Sequence, residues 1–320
     1  LATRFQGPTG YFAVRYGFSR WQRTVETLER PSVIVTFDVE ALAFAHKFRD
    51  SSPSKSSISI LADLHEYYPE EHSASGLMSA ARGALMRRLL EKTLRSTELI
   101  TCVGADLALK IQREFSVEAV VIPNFPTFSK RTVRRTSDPI RFVYHGYFDV
   151  ARGYDVLLGA FLQSHRQHEL NLVVAPHQLD DVKNFLGGFG GLAKKVRLHR
   201  FVPPSQLIDF LSDFDVEIIP TAPTSANRAL LLPNKLFEAI AARLAVLSTP
   251  LPNVARILGA WECGVVTRGF EIEDLRLAID SLTVEEVNRM KRNSDQAASS
   301  LNWQENEAII ISSLERMSAR

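Results

Sequence analysis

Four short segments of this 320-residue chain bring together residue types that can do chemistry. In Leu232-Pro233-Asn234-Lys235-Leu236-Phe237-Glu238 a cation and a carboxylate stand three residues apart, on one face of a helix. Pro233 fits the first helical position, where a missing N–H is no loss. Lys235 then falls in the first turn, where a cation opposes the helix dipole unless an anion binds there. A diphosphate for Lys235 and ribose hydroxyls for Glu238 make a nucleotide grip. The preceding polar loop, Thr221 to Asn227, favours the functional reading. A local Lys–Glu surface pair is the plainer alternative.

The second segment runs Val143-Tyr144-His145-Gly146-Tyr147-Phe148-Asp149-Val150-Ala151-Arg152-Gly153, following a strand and opening a helix. Gly146 lets backbone approach a phosphate, and the helix amino terminus supplies N–H donors. Arg152 adds a planar fork for phosphate oxygens, and an ordinary βα turn with a surface arginine reads equally well. The third segment, Asp63-Leu64-His65-Glu66-Tyr67-Tyr68-Pro69, places His65 at a strand end, able to exchange a proton or a hydrogen bond. A lone loop histidine is more often structural. The fourth, Asp213-Phe214-Asp215, has the spacing of a metal-holding pair, but it ends a helix and enters a strand, so it reads as structural. His72, His177 and His199 lack metal-site spacing. The absence of a Gly-x-Ser-x-Gly elbow, a P-loop and a Gly-x-Gly-x-x-Gly run weakens hydrolase, NTPase and dinucleotide readings.

Loops of this kind need strands to present them. Val33–Phe37, Ile58–Leu61, Glu98–Val103 and Ala119–Ile122 read as buried strands, with helices at 39–49, 77–95 and 104–115 between them. After a cation-rich linker, 130–139, strands recur near 140–144, 170–174, 196–199, 215–219, 244–247 and 264–266. Helices fall near 154–166, 203–212, 234–242 and 271–299, and a last one from Trp303 to about Met317 shows Ile309, Ile310, Leu314 and Met317 as its apolar face. Such alternation gives parallel sheets covered on both faces, in two doubly wound α/β domains with a cleft at the carboxyl ends of their strands. Residues 1–30 offer only Gly7, Gly10 and Gly17 in an aromatic, Arg-rich stretch, so one or two amino-terminal strands are expected to be absent.

Composition bounds the rest. A hydrophobic fraction of 45% supports a full core, and a net charge of +2 is too small to argue for nucleic acid. Residues 1–136 hold 19 Lys and Arg against 14 Asp and Glu, whereas 137–320 hold 19 against 22. One half is basic and the other mildly acidic. Two cysteines far apart, with no signal peptide and no long apolar run, suit a reducing cytoplasm. Arg82, Arg87, Arg88, Lys92 and Arg95 make 77–95 a basic amphipathic helix that suits an anionic membrane surface, or equally a solvated face on a core helix.

Taken in order, these segments resemble glycosyltransferases of the GT-B fold, close to family 4, over roughly residues 31 to 318. The resemblance is carried by Asp63-Leu64-His65-Glu66, by Val121-Ile122-Pro123-Asn124 at the crossing between domains, and by Gly146 with Arg152-Gly153. It continues through Pro233-Asn234-Lys235-Leu236-Phe237-Glu238 with Leu251-Pro252 downstream, of the Pro-Asn-Lys-x-x-Glu branch, and ends in the Trp303 helix. It implies an incomplete acceptor domain at 1–130, a nucleotide-sugar donor domain at 138–300, and a helix at 301–320 packing back on the first domain.

The resemblance further implies metal-independent, retaining transfer from a UDP- or GDP-sugar to a glycan or lipid-linked acceptor, with no cofactor. Arg152 and Lys235 would stabilise the departing diphosphate, Glu238 would hold the donor ribose, and His65 would hydrogen-bond the reacting sugar. Gly146, Tyr147, Asn227, Pro233 and Asn234 would line the donor. Cytoplasmic work at the inner membrane face, in polysaccharide or glycoconjugate synthesis, follows as the setting. Three positions depart from the family: Tyr147 where an arginine is common, Leu230 where many members have a glutamate, and Arg243 where a helix-ending glycine is usual. Tyr147, Leu230 and the short first domain motivate one alternative, a non-catalytic nucleotide-sugar-binding or partner-binding scaffold; a related GT-B enzyme such as a sugar-nucleotide epimerase is another.

Overall fold

A computed structural model describes residues 31–52, 58–70, 77–149, 152–188, 195–223 and 225–318. The 1–30 stretch, and with it the expectation of absent strands, lies outside the described residues, as does His72. The chain divides into two compact units: Leu1–Pro123, Ser225–Leu230 and Glu307–Arg320 form unit 1, and Asn124–Thr224 with Leu231–Asn306 form unit 2.

In unit 1, β1 (Val33–Thr36), α1 (Val39–Ser51), β2 (Ser59–Leu64), α2 (Leu77–Thr93), β3 (Leu99–Cys102), α3 (Ala105–Phe115) and β4 (Val120–Val121) alternate as expected. The four strands run parallel in the order β1-β2-β3-β4. Ile60, Ala62, Leu64, Ile100 and Cys102 pack against Leu42, Leu89 and Leu107 from the helices. The basic face of α2 is partly absorbed by the unit itself: Arg87 pairs with Glu114 and donates to the Tyr67 hydroxyl at 2.9 Å, while Arg88, Lys92 and Arg95 stay exposed.

Unit 2 contains β5 (Arg141–Gly146), α4 (Tyr154–Gln163), β6 (Glu169–Val174), α5 (Leu179–Gly187), β7 (Val196–His199), α6 (Pro204–Leu211), β8 (Val216–Ile219), α7 (Asn234–Ala241), β9 (Ala245–Ser248), α8 (Pro252–Trp261), β10 (Gly264–Val266), α9 (Ile272–Ser281) and α10 (Val284–Ala298). Its six strands are parallel, in the order β10-β9-β8-β5-β6-β7, so the winding reverses between β5 and β8. Apolar side chains on both sheet faces are covered by helices, which explains why these strands read as continuous apolar runs. The last described helix, α11 (Trp303–Ser318), begins in unit 2 and enters unit 1 at Glu307. Among the described residues no helix is long and apolar enough to cross a membrane.

The structure differs from the sequence reading in several elements. The single helix expected over 271–299 is two, because Thr283 caps α10: its hydroxyl accepts from Glu286 N, and Glu286 Oε2 accepts from Thr283 N at 3.0 Å. Helices α5 and α8 were not anticipated, although Pro252 opens α8 as helix-starting prolines do. The 130–139 stretch is tied down rather than loose: Arg134 pairs with Asp213, Arg131 with Asp209, and Thr136 donates to Asp215 at 3.0 Å. Asp215, fully buried, also takes Lys291 at 3.0 Å and the Arg141 backbone N–H at 3.0 Å, so it serves as an internal post, while Asp213 pairs at the surface. On α11 the buried positions are Asn306, Ser313 and Met317, while Ile309 faces solvent. Arg243 ends α7 with φ 65°, a conformation that ordinarily favours glycine. Its buried guanidinium offsets that strain by donating to Asp295 at 2.6 Å, to the Ser129 carbonyl at 2.9 Å and to the Ala241 carbonyl.

Candidate functional site

Open α/β sheets bind ligands outside the carboxyl ends of their strands where the winding reverses. In unit 2 that point lies between β5 and β8, and two of the four segments singled out in the sequence, those of Gly146 and Lys235, meet there. β5 ends on Gly146, which takes φ 119°, accessible to glycine without strain. The loop that follows is braced from two sides. Tyr144 donates its hydroxyl to the Tyr147 carbonyl at 2.7 Å, and the Gln178 carboxamide both accepts from and donates to the Phe148 backbone at 2.9 and 2.8 Å. Gly153, at φ 77°, opens α4, and a Cβ there would stand 2.1 Å from the Pro220 carbonyl oxygen. The turn carrying Arg152 is therefore pressed against the end of β8.

Lys235 enters from α7. Its ammonium sits 3.8 Å above the centre of the Tyr144 ring, within 3.8 Å of where a Cβ on Gly146 would be. Among the described residues no carboxylate comes within ion-pair distance of it, so the local Lys–Glu pair does not form. Burial, opposed by the pull of Glu217 and assisted by repulsion from Arg152, lowers the Lys235 pKa to about 8. Pro233 occupies the capping position rather than the first helical one and its carbonyl takes the Leu236 N–H, while the Asn234 and Lys235 N–H groups have no side-chain cap among the described residues. The Asn234 carboxamide oxygen accepts from Asn124 at 3.2 Å.

Glu238 is not alone on its face. Its Oε2 stands 2.8 Å from His145 Nε2, and His145 Nδ1 stands 3.1 Å from Glu217 Oε2. His145 is 7% exposed and Glu217 is 0% exposed. Burial disfavours the imidazolium, but the Glu217 charge and the two hydrogen bonds outweigh it and lift the His145 pKa to about 9. Neither His145 nor Glu217 was picked out from the sequence. The available signals were a histidine directly before Gly146 and a glutamate inside the apolar run Val216-Glu217-Ile218-Ile219. Beside Glu238 and Asn234 opens a cavity of about 270 Å³, walled by Phe125, Leu207, Ile208 and Trp303.

The remaining expected residues separate. Tyr147 is 46% exposed and its hydroxyl meets His177 Nε2 at 3.1 Å, so it supplies no substitute cation. Asn227, expected at the donor, belongs to unit 1. Its carboxamide oxygen accepts from the Tyr67 backbone at 2.9 Å and its amide donates to Glu66 at 2.9 Å, contacts that secure the 225–230 segment. Leu230 packs in the unit 1 core. His65, also in unit 1, places Nε2 2.8 Å from Asp63 Oδ2, and Asp63 Oδ1 accepts from the Thr101 hydroxyl at 2.6 Å. The Asp63 hydrogen bond engages Nε2 and raises the His65 pKa above its ordinary value.

The two parallel-sheet units define the GT-B fold, and comparison with solved structures agrees. Sucrose-phosphate synthase from Thermosynechococcus elongatus superposes with a TM-score of 0.72 at 16% identity, over 94% of this chain and 76% of that one. Anabaena HepE in complex with UDP gives 0.69 at 14% identity, over 93% and 82%. The pneumococcal O-GlcNAc transferase GtfA, in complex with UDP and GlcNAc, gives 0.67 at 13%, over 93% and 59%. Residues 139–284, which span most of unit 2 and every site residue in it, match the family model of glycosyl transferases group 1. No curated protein sequence matches the chain.

Proposed function

We propose that this chain transfers a sugar, with retention of configuration, from a UDP- or GDP-sugar to a glycan or lipid-linked acceptor. The observation that carries this reading is the Lys235 ammonium, without a carboxylate partner among the described residues, held over the Tyr144 ring at the strand-order reversal beside Gly146 with Glu238 one helical turn away. Such a cation suits a diphosphate, whose charge it stabilises as the sugar departs. Arg152 and the open N–H groups of α7 add to that stabilisation. Glu238 takes the ribose hydroxyls, and the neighbouring cavity takes the base. In the transfer, the bond from the anomeric carbon to the diphosphate oxygen breaks and one to the acceptor oxygen forms. The acceptor's hydroxyl proton leaves with the nucleoside diphosphate. His65 is the residue assigned to hydrogen-bond the reacting sugar. The family-model match and the UDP named with HepE and GtfA support the donor class.

The test is nucleoside diphosphate release from UDP-glucose, UDP-GlcNAc and GDP-mannose in excess EDTA. Release should persist in the chelator and fall by at least about a hundredfold in Lys235→Ala, as loss of one charge-stabilising group does. Failure of all three donors to bind would remove the reading. The exposed Tyr147, standing where a second loop cation is common, favours a non-catalytic nucleotide-sugar binder as the alternative, which measurable turnover excludes.

A further inference from the structure

His145 contacts a carboxylate through each ring nitrogen, and the two contacts cannot both be hydrogen bonds from a neutral ring. A neutral imidazole carries one N–H, so one carboxylate would face a lone pair; a protonated ring donates to both. The two carboxylates that face it favour the protonated form and outweigh the one cation, Lys235, that opposes it. β8 presents Glu217, α7 presents Glu238 and, more distantly, Lys235, and β6 presents the apolar Val173. Glu217 lies on a central strand, fully buried, and its Oε1 has no partner among the described residues. A lone carboxylate there is costly, and a buried ion pair is a poor source of stability in itself. The far end of the chain of contacts is a site residue: nothing among the described residues donates to Glu238 Oε1.

We propose that protonated His145, anchored by Glu217, is a positioning residue that fixes the Glu238 carboxylate by one oxygen and leaves the other for the donor's ribose hydroxyls. The proposal rests on the donor reading above and assigns this His–Glu pair the task of discriminating ribose from deoxyribose. Lys235 and Arg152 hold the diphosphate, which both sugars share, so their contribution cancels in a ratio of affinities.

The experiment measures binding of UDP and 2′-deoxy-UDP by calorimetry, with GDP and 2′-deoxy-GDP as a second pair. The wild-type chain should prefer the ribonucleotide by about tenfold or more, the value of a hydrogen bond to a charged group. His145→Asn keeps the reach to Glu217 but not to Glu238, and its preference should fall to within about twofold of unity. His145→Gln, which reaches Glu238 without charge, should recover part of it. In Glu217→Gln the ring loses its anionic anchor, so the preference should be present at pH 6 and lost by pH 8.5, while the wild type keeps it at both. A wild-type preference that survives His145→Asn, or a flat pH profile in Glu217→Gln, overturns the proposal and leaves the donor reading intact. A wild-type chain that binds no nucleotide overturns the donor reading itself.

Discussion

Apart from its contact with the Tyr144 ring face, Lys235 is held where a folded protein gains little from a cation until an anion arrives. Its pKa of about 8 lies below the ordinary lysine value because burial disfavours the charge. Linkage gives the sign: an unfolded chain keeps that proton more tightly, so the site destabilises the fold below pH 8, and the penalty fades as pH climbs towards the ordinary lysine value. Lys235→Met should therefore raise the melting point at pH 7, by a stabilisation of about 2 kcal/mol, while abolishing UDP binding. A melting point that drops would show that the ammonium is already satisfied. Lys235, Glu238, Gly146 and Arg152 were legible in the sequence because each sits beside a helix start or a strand end, positions that local pattern reveals. Glu217 and His145 were not, because the face a strand residue shows is settled only by register with its neighbours. The bonds of Asn227 to Glu66 and Tyr67 were hidden for a related reason: residues 225–230 belong to unit 1 although they stand in sequence between β8 and α7.

Element by element, the site depends on two turns packed against each other. Gly153 starts α4 in a left-handed conformation with the Pro220 carbonyl 2.1 Å from where a Cβ would sit, so the turn bearing Arg152 and the end of β8 are fixed jointly. Gly153→Ala should destabilise unit 2 by about 2–4 kcal/mol, seen as a lower melting point, and weaken diphosphate binding as well. An alanine variant as stable as the wild type would mean that the β8 end yields freely. The strands and most helices were readable because their apolar periodicity is strong. The break between α9 and α10 was missed although Thr283 and Glu286 spell a capping box, since the apolar pattern continues across it. The basic pattern of α2 overstated its free charge, because sequence cannot show that Arg87 is committed to Glu114 and Tyr67.

At the scale of the molecule, the units are not successive stretches of chain. Unit 1 takes 225–230 from between β8 and α7, and takes α11 from Glu307 onward. Truncation after Asn306 should strip Ser313 and Met317 from unit 1 and cost it about 3–5 kcal/mol. Hydrogen exchange read by mass spectrometry should then show protection lost in β1 to β4 and kept in β5 to β10, whereas uniform loss would mean that the units unfold as one. The same interleaving bears on biosynthesis. Domains commonly fold in the order in which they leave the ribosome. Here the unit begun first cannot be finished until the whole of the second has been translated, so a nascent chain carries β1 to β4 incomplete throughout elongation of unit 2.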